Sequence, residues 1–339
     1  MLVSDRADSA RRAEVSADLR PCPEYLRLEQ IYKVELLDWS HLSRQGAHRS
    51  TRLSLNHVVR ALPLLRNHDV VFSDGEHVGI PLALAMKALG VVRPHLVLGH
   101  HLTTRLKRPF FRYLRAHDAI DRILVHSNEQ LEEAQGCGIP RSKLALVPYY
   151  ADTAFWRPLP VAEEPLVVSA GREHRDYQTL AAACGEMPEQ VFVGAASVHS
   201  PSARWALPAA WPRNFTCRAA DFVTLRDWYA RASVVVVPLL PTDFQAGVTT
   251  LLEAMSMGKA VVVTANRAHR ELVENGVTAV LVPAGDPTAL RAQVRRLLDD
   301  PGERRRLGSA ARAAVEAAYD LNGYCRRIAG HIDEIASAA

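Results

Sequence analysis

Short runs rich in β-branched residues alternate along the chain with longer segments whose apolar positions recur at helical spacing. In the first half, four such runs predict strands at residues 32–39, 69–74, 95–100 and 122–127. In the second half, six more predict strands at residues 166–171, 190–196, 215–219, 233–239, 260–265 and 279–284. Because strands that alternate with helices form parallel sheets, the pattern predicts an α/β protein with doubly wound sheets.

The alternation stops between residues 147 and 165, where prolines, aromatic residues and acids follow no period. Such a segment is typical of a connection between domains. We therefore predict a first domain at 1–150, a second at 151–318 and a closing helix at 319–339. Both domains are expected to be Rossmann-like and to face each other across a cleft. Ligands of such sheets bind at the carboxyl ends of the strands, which places the site in that cleft.

Composition is ordinary for a globular enzyme, since 48% of the 339 residues are hydrophobic and 23% are charged. No apolar run reaches the roughly 20 residues that cross a bilayer, and the N-terminus has no signal-peptide pattern. We therefore expect a cytoplasmic protein without a transmembrane segment. The net charge of +4 is spread along the chain, which argues against nucleic-acid binding. The run RLKRPFFRYLR could touch anionic lipid, but no long amphipathic basic helix indicates membrane docking.

Several kinds of chemistry have no signal in the sequence. The five cysteines are widely spaced and form no CxxC or Cys/His cluster, which argues against disulfides and zinc. No GxGxxG follows a strand, and the P-loop and GxSxG motifs are missing. We therefore expect no metal and no cofactor.

The strongest local signal is the stretch FQAGVTTLLEAMSMGKAVVV at residues 244–263. If a helix begins near Gly247, its N-terminal N–H groups, with Thr249 and Thr250, are suited to hold a phosphate. Glu253 then lies further along the helix, where its carboxylate can accept hydrogen bonds from the hydroxyls of a ribose. Together these groups favour a nucleotide ligand. The alternative is an exposed Glu253 and a simple turn at Gly247, and this stretch alone leaves both open.

Two further loops follow predicted strands. In SAGREHRDYQTL at 169–180, Gly171 precedes Arg172 and Arg175, whose planar guanidiniums match the oxygens of a diphosphate. The alternative is a solvated loop with salt bridges to neighbouring acids. In LVLGHHLT at 96–103, His100 and His101 could stabilise charge or move a proton, or one could be a packed histidine. A similar loop at 72–81, with Asp74, Glu76 and His77, is a weak candidate for acceptor binding.

As an ordered set, these motifs resemble the donor domain of glycosyltransferase family four, the retaining GT-B enzymes. The resemblance covers residues from about 120 to 325 and is weaker before residue 95. It implies a GT-B fold and a hexosyltransferase that is retaining and metal-independent. Such an enzyme moves a sugar from a nucleoside diphosphate sugar, of the UDP or GDP type, to a small-molecule acceptor. The composition suits biosynthesis of a specialised metabolite or a thiol.

The resemblance also assigns roles to individual residues. Glu253 matches the second acid of the family's pair and is the expected ribose ligand, whereas Gln245 replaces the first acid, which faces the donor sugar. The residues expected at the sugar, the diphosphate and the nucleobase are Gly171, Arg172, Arg175, Val223, Ala246, Gly247, Val248, Thr249 and Thr250. His100 or His101 matches a first-domain histidine near the donor sugar, and we prefer His101, which lies further into the loop.

Two alternatives stay open beside the transferase. A GT-B nucleotide-sugar epimerase or hydrolase would have a similar donor site but would release product without an acceptor. A non-catalytic relative could bind a nucleotide sugar or a partner glycosyltransferase, and Gln245 keeps this reading open. The sequence leaves the oligomeric state, the nucleobase, the sugar and the acceptor undetermined.

Overall fold

The computed structural model describes residues 1–41, 50–194, 205–206, 208–242 and 245–338. The first half of the chain forms a parallel sheet of four strands, which lie side by side in chain order: β1 (Val71–Ser73), β2 (His95–Leu98), β3 (Arg122–Val125) and β4 (Leu144–Leu146). Its α-helices are α1 (Ser9–Ser16), α2 (Glu24–Tyr32), α3 (Ser50–Leu64), α4 (Glu76–Leu89), α5 (Arg108–Arg112) and α6 (Asn128–Gly136).

The second half forms a six-stranded parallel sheet and a separate two-stranded one. Its strands are β5 (Leu166–Ala170), β6 (Arg175–Asp176), β7 (Gln190–Gly194), β8 (Trp205–Ala206), β9 (Phe215–Arg218), β10 (Val234–Val237), β11 (Ala260–Thr264) and β12 (Val280–Val282). The large sheet has the order β12-β11-β10-β5-β7-β9, and β6 pairs with β8. The helices are α7 (Tyr177–Cys184), α8 (Phe222–Arg231), α9 (Val248–Ser256), α10 (Arg267–Leu272), α11 (Pro287–Asp299), α12 (Pro301–Ala318) and α13 (Leu321–Ser337).

The chain divides into two units that do not follow its halves strictly. The first unit comprises residues 1–17, 22–148 and 322–339, and the second comprises 18–21 and 149–321. The short segment 18–21 belongs to the second unit because Asp18 forms ion pairs with Arg157 at 2.7 Å and with Arg226 at 3.0 Å. These two guanidiniums hold the pKa of the Asp18 carboxyl at about 2.

The central strand β10 explains how the second unit forms its core. Val235 and Val237 pack into one hydrophobic cluster, and Val234 and Val236 pack into the cluster on the opposite face. Because helices cover both faces of a parallel sheet, every position of such a strand is buried and no polar alternation appears. The run of four valines, all fully buried, is the sequence form of that environment.

The predicted α/β class is confirmed, but one predicted strand is wrong. Residues 32–39 do not form a strand, because α2 extends to Tyr32 and ends on a left-handed residue, Lys33, with φ of 57°. Further along, Leu37 makes only an isolated bridge to Leu2. In the segment after β2, helix α5 ends at Arg112, and a 3₁₀ turn follows at Ala116–Ala119.

Two parts of the sequence predictions lie outside the described residues. They are positions 195–196 of the predicted strand 190–196, and Phe244 at the start of the stretch 244–263. Among the helices that the structure describes, none combines the length and the apolar character that a membrane span requires.

Candidate functional site

Arg175 lies at the centre of the candidate site in the second unit. It follows the loop after β5, and only 3% of its surface is exposed. A Cβ atom built on Gly171 would meet its Nη2 at 2.3 Å, and one built on Gly247 would meet its Nη1 at 3.1 Å. The guanidinium is therefore packed against two glycines that are 76 residues apart in the chain. Both glycines have positive φ, 96° and 76°, which L side chains rarely adopt.

The hydrogen bonds of Arg175 all run to uncharged groups. Its Nε donates to the Ala170 carbonyl at 2.7 Å, its Nη1 to the Glu173 carbonyl at 2.8 Å and its Nη2 to Thr250 Oγ1 at 2.9 Å. Burial lowers the pKa of the guanidinium, but an arginine keeps its proton at neutral pH. The site thus contains a buried positive charge whose described hydrogen-bond acceptors are all neutral.

Helix α9 begins directly beside this cation. Gly247 is its N-cap residue, and no side chain makes a capping hydrogen bond there. The first N–H groups of a helix carry about half a positive charge and are a ready site for anions. In the first turn Thr249 is exposed, whereas Thr250 is buried and its hydroxyl accepts from Arg175.

Glu253 lies in the middle of α9 and is half-buried. Burial raises the pKa of its carboxyl to about 8, although the charge of Arg175 acts in the opposite direction. No residue in the described part of the chain donates a hydrogen bond to this carboxyl group. An acid whose pKa is raised by burial and which no described residue holds by a hydrogen bond is a candidate for ligand binding.

Gln245 lies in the loop that leads into α9, and His269 approaches the backbone of the same loop. Gln245 is 6% exposed, and its Oε1 has no hydrogen-bond partner among the described residues. His269 is fully buried in α10, where its Nδ1 lies 3.2 Å from the Thr264 carbonyl and its ring approaches the backbone of Ala246. Burial lowers the pKa of His269 to about 4, so this ring is neutral at pH 7. His269 is not among the residues predicted from the sequence, and no motif marks it.

Other predicted residues of the second unit surround this centre less closely. Arg172 is half-buried in the loop after Gly171. The carbonyl of Gly171 accepts a short hydrogen bond from the Tyr177 hydroxyl, which fixes that loop. Val223 lies in the first turn of α8, 36% exposed, two residues after Asp221, whose side chain caps the helix.

In the first unit, Glu76 organises the loop that contains the two predicted histidines. Its side chain is buried at the start of α4 and accepts N–H bonds from His100 at 2.8 Å and His101 at 3.3 Å. It also forms an ion pair with Lys107 at 2.5 Å. Burial opposes ionisation, but the charges of Lys107 and His100 and these hydrogen bonds outweigh it and lower the pKa of Glu76 to about 2.

The two histidines differ in environment. The His100 ring donates from Nε2 to the Asp74 carbonyl at 3.1 Å and lies 5.3 Å from the His126 ring. His101 is exposed to solvent. Asp74 receives hydrogen bonds from Ser4, whose hydroxyl also lies 2.7 Å from His77 Nε2, and burial raises the pKa of the Asp74 carboxyl to about 7. The weak candidates Asp74, Glu76 and His77 are thus linked to the histidine loop.

Comparison with protein families gives a match in the second unit. The family described as "Glycosyl transferases group 1" matches residues 168–300, which run from β5 into α11 and its C-cap and include Gly171, Arg175 and Glu253. Within the second unit, residues 168–300 are thus similar to the group 1 glycosyl transferases. Among the described residues, no group of three or more His, Cys, Asp or Glu side chains is arranged to hold a metal ion.

Curated relatives match part of the chain. A D-inositol 3-phosphate glycosyltransferase of Xylanimonas cellulosilytica is 34% identical over 170 residues, which are 46% of this chain and 39% of that protein. An alpha-D-kanosaminyltransferase of Streptomyces kanamyceticus is 31% identical over 97 residues, which are 29% of this chain and 25% of that protein. The chain thus spans well under half the length of each of these two relatives.

Solved structures show that the fold of the whole chain is GT-B, as the sequence predicted. A sucrose-phosphate synthase of Thermosynechococcus elongatus has a TM-score of 0.70 at 19% identity and covers 88% of this chain and 82% of its own. The Anabaena protein HepE in complex with UDP and glucose has a TM-score of 0.69 at 15% identity, with 98% of both chains covered.

Proposed function

We propose that this protein is a retaining glycosyltransferase that moves a sugar from a nucleoside diphosphate sugar to a hydroxyl group of a small-molecule acceptor. The start of helix α9 carries this proposal. There the uncapped helix N-terminus at Gly247, the buried Arg175 guanidinium and the half-buried Glu253 carboxyl lie in one unit. The helix N-terminus and the guanidinium provide positive charge for a diphosphate, and the carboxyl provides a hydrogen-bond acceptor for a ribose.

The same groups suit the electrostatics of the transfer. Breaking the anomeric bond leaves negative charge on the departing diphosphate. A helix N-terminus at that position and a fixed positive charge behind it stabilise the developing anion without reorganisation. The guanidinium of Arg175 is held by three hydrogen bonds, so it acts as a fixed charge behind the glycine backbone. Arg172, in the more open part of the loop, is the guanidinium that we assign to direct diphosphate contact.

The donor and acceptor classes rest on relatives and on the resemblance. HepE was solved with UDP and glucose, which supports a UDP sugar as the first donor to test, with GDP sugars second. The relative named for D-inositol 3-phosphate supports a polyhydroxylated small-molecule acceptor. In the first unit we assign the sugar-facing role to His101, because it is the exposed member of the histidine pair. Retention, metal independence and a cytoplasmic location belong to the same proposal.

Gln245 is the observation that favours a different function. A neutral amide stands where the family has an acid, and its Oε1 has no partner among the described residues. A non-catalytic protein that binds a nucleotide sugar, or a partner glycosyltransferase, would tolerate this change. A nucleotide-sugar epimerase or hydrolase would instead turn over the donor without any acceptor.

The first test is a calorimetric titration of UDP, GDP, TDP and ADP against the wild type and Glu253→Gln. We expect one nucleotide to bind best and, above pH 8 where Glu253 is ionised, to lose at least tenfold affinity in the variant, because an amide is a poorer acceptor than a carboxylate for two ribose hydroxyls. Glutamine is nearly isosteric with glutamate, so the substitution keeps the shape of the side chain. No binding of any nucleotide by the wild type would refute the proposal.

Measuring the stability of Glu253→Gln is the control that separates a loss of nucleotide binding from a loss of folding. The raised pKa of Glu253 means that the folded state holds its proton more tightly than the unfolded state. Stability of the wild type therefore falls as the pH rises from about 4.5 to about 8, and Glu253→Gln escapes this loss. We expect the variant to be more stable than the wild type by roughly 1–3 kcal/mol at pH 8 and about equal to it at pH 4.

Turnover then separates the three functions. Donor consumption that depends on an added polyol acceptor supports the transferase. Release of free sugar or an epimerised donor without acceptor supports the epimerase or hydrolase. Tight nucleotide binding with no turnover under either condition supports the non-catalytic protein.

A further inference from the structure

The first unit contains a long stretch with only one sign of charge. Between Glu76 and Asp118 there is no acidic residue, while seven lysines and arginines occur. Five of these seven lie between residues 105 and 115, around helix α5. The whole chain has a net charge of only +4, so this stretch concentrates positive charge that the rest of the sequence balances.

Large apolar side chains are exposed within the same segment. Leu106 is 84% exposed, Tyr113 is 74% exposed and Leu114 is 51% exposed. Arg105, Arg108 and Arg112 are exposed among them. We call these six residues the α5 surface. Single exposed apolar residues are ordinary, but three close together in sequence and interleaved with arginines indicate an interaction surface.

The segment that carries these exposed side chains is held to the core of the first unit by its other residues. Phe111 in the middle of α5 is 1% exposed and packs in the same core cluster as Leu102. Lys107 is not part of the α5 surface, since it forms the ion pair with the buried Glu76. The Nε of Arg108 donates to the Thr103 carbonyl at 2.8 Å. The fold therefore holds this segment in place while its leucines and tyrosine stay in solvent.

We propose that the α5 surface docks on an anionic lipid bilayer. Leucine and tyrosine side chains partition into the region between headgroups and acyl chains, and arginines beside them bind the anionic headgroups. The positive charge and the exposed apolar side chains of the surface thus both suit an anionic bilayer. This binding does not depend on the transfer reaction, and it needs no helix that crosses the bilayer.

A second exposed apolar site in the same unit lacks this match. Leu89 and Val92 are 65% and 84% exposed, beside Arg93. The guanidinium of Arg93 donates to two backbone carbonyls, those of Leu65 at 2.9 Å and Val92 at 3.0 Å, so it is directed at the protein. One exposed arginine, Arg66, lines the same cavity as Leu89 and Val92, against three arginines on the α5 surface. Leu89 and Val92 therefore provide the matched control, with similar apolar exposure and less positive charge.

Docking would bring the histidine loop close to the lipid. Besides its ion pair with Glu76, Lys107 donates to the His101 carbonyl at 3.0 Å, so the α5 segment is joined directly to that loop. An acceptor that resides in or on the membrane would then meet the first unit at this edge.

The test is flotation of the full chain with vesicles of phosphatidylcholine alone, or with about 30% phosphatidylglycerol. We expect the wild type to float only with the anionic vesicles and to be released by salt. The variant Arg105→Gln/Arg112→Gln should lower the partition coefficient at least tenfold, given roughly fivefold per neutralised charge. The variant Leu106→Ser/Tyr113→Ser should also lower it at least tenfold, because it removes two exposed apolar side chains. Leu89→Ser/Val92→Ser should float as the wild type does.

Three flotation results would overturn the proposal: no flotation of the wild type with anionic vesicles, equal flotation of both α5 variants and the wild type, or an equal loss in the Leu89 and Val92 control. If the first result is accompanied by retention on a single-stranded oligonucleotide, the surface is assigned to nucleic acid instead. Circular dichroism and the nucleotide titration should be unchanged in all variants, because every substituted side chain is exposed. The lipid proposal and the glycosyltransferase proposal therefore fail independently.

Discussion

The two units treat the carboxyl ends of their strands in opposite ways. In the second unit the site consists of backbone: Gly171 and Gly247, both at positive φ, cover a buried arginine, Arg175. In the first unit it consists of side chains, since Glu76 and Lys107 hold the histidine loop. Backbone sites require glycine at fixed positions and so leave a recognisable pattern in the sequence, whereas side-chain sites leave almost none.

The charge balance also differs between them. The buried anion of the first unit, Glu76, is neutralised by Lys107, and its pKa is lowered to about 2. The buried cation of the second unit, Arg175, binds neutral acceptors, and the nearby acid, Glu253, has its pKa raised to about 8. The first unit therefore uses its charges to hold structure. The second keeps a positive charge in excess, which an anionic ligand would neutralise.

The largest expected effect comes from changing the backbone site at Gly247. A Cβ there would lie 2.9 Å from Val237 Cγ1 and 3.1 Å from Arg175 Nη1. Gly247→Ala should cost about 3 kcal/mol of unfolding free energy, from backbone strain and overpacking together, and should weaken nucleotide binding more than tenfold. Urea denaturation and calorimetry measure the two losses.

Gly276→Ala is the matched control for that change. Gly276 has the same φ of 76°, but a Cβ there meets no atom within 4 Å. It should cost about 1 kcal/mol, which is the strain alone, and leave nucleotide affinity as it is. Equal losses in the two variants would mean that the packing of Gly247 on Arg175 has no role in the site.

The next effect concerns the side-chain site. Glu76→Gln removes the charge that Lys107 and two backbone N–H groups contact, and should cost about 2 kcal/mol at pH 7. Because the pKa of Glu76 is lowered on folding, its contribution is present above its ordinary pKa of 4.5 and is lost as the pH falls towards 2. The difference between variant and wild type should therefore shrink between pH 5 and pH 3, as urea titrations at each pH would show.

The exposed acid Glu35 serves as the control for Glu76. Its side chain is 72% exposed in its pair with His68, so Glu35→Gln should change stability by less than about 0.5 kcal/mol at either pH. A stability difference for Glu76→Gln that stays constant down to pH 3 would show that the loop is held by shape and not by charge.

What the sequence predicted depends on how local the cause is. The valines of β10 and the Gly247 helix start carry their own signature, because burial on both sides and positive φ each dictate a residue type. The strand predicted at residues 32–39 was wrong, since Leu37 in this run makes an isolated bridge to Leu2 rather than pairing with a neighbouring strand. That pairing depends on a distant partner, which no local pattern reveals.

The candidate site divides in the same manner. The motifs identified Arg175 and Glu253 and placed both at a nucleotide, which stays a prediction. They did not reveal that Arg175 is buried, because that depends on Gly247 and Thr250, more than 70 residues further along the chain. The neutral His269 beside Ala246 was missed for the same reason, since its role arises only from tertiary packing.

The smallest effect should come from Gln245, which tests whether the backbone site also selects the sugar. A carboxylate only accepts hydrogen bonds, whereas the amide also donates, so Gln245→Glu should change which sugar hydroxyls are satisfied. We expect the preference between two sugars on one nucleotide to change by about fivefold, or 1 kcal/mol, with little change in nucleotide affinity. Competition between the two donors measures this ratio, with the exposed Gln178→Glu as control. If both donors lose affinity equally, Gln245 acts on the loop and not on the sugar, and selection must come from the first unit.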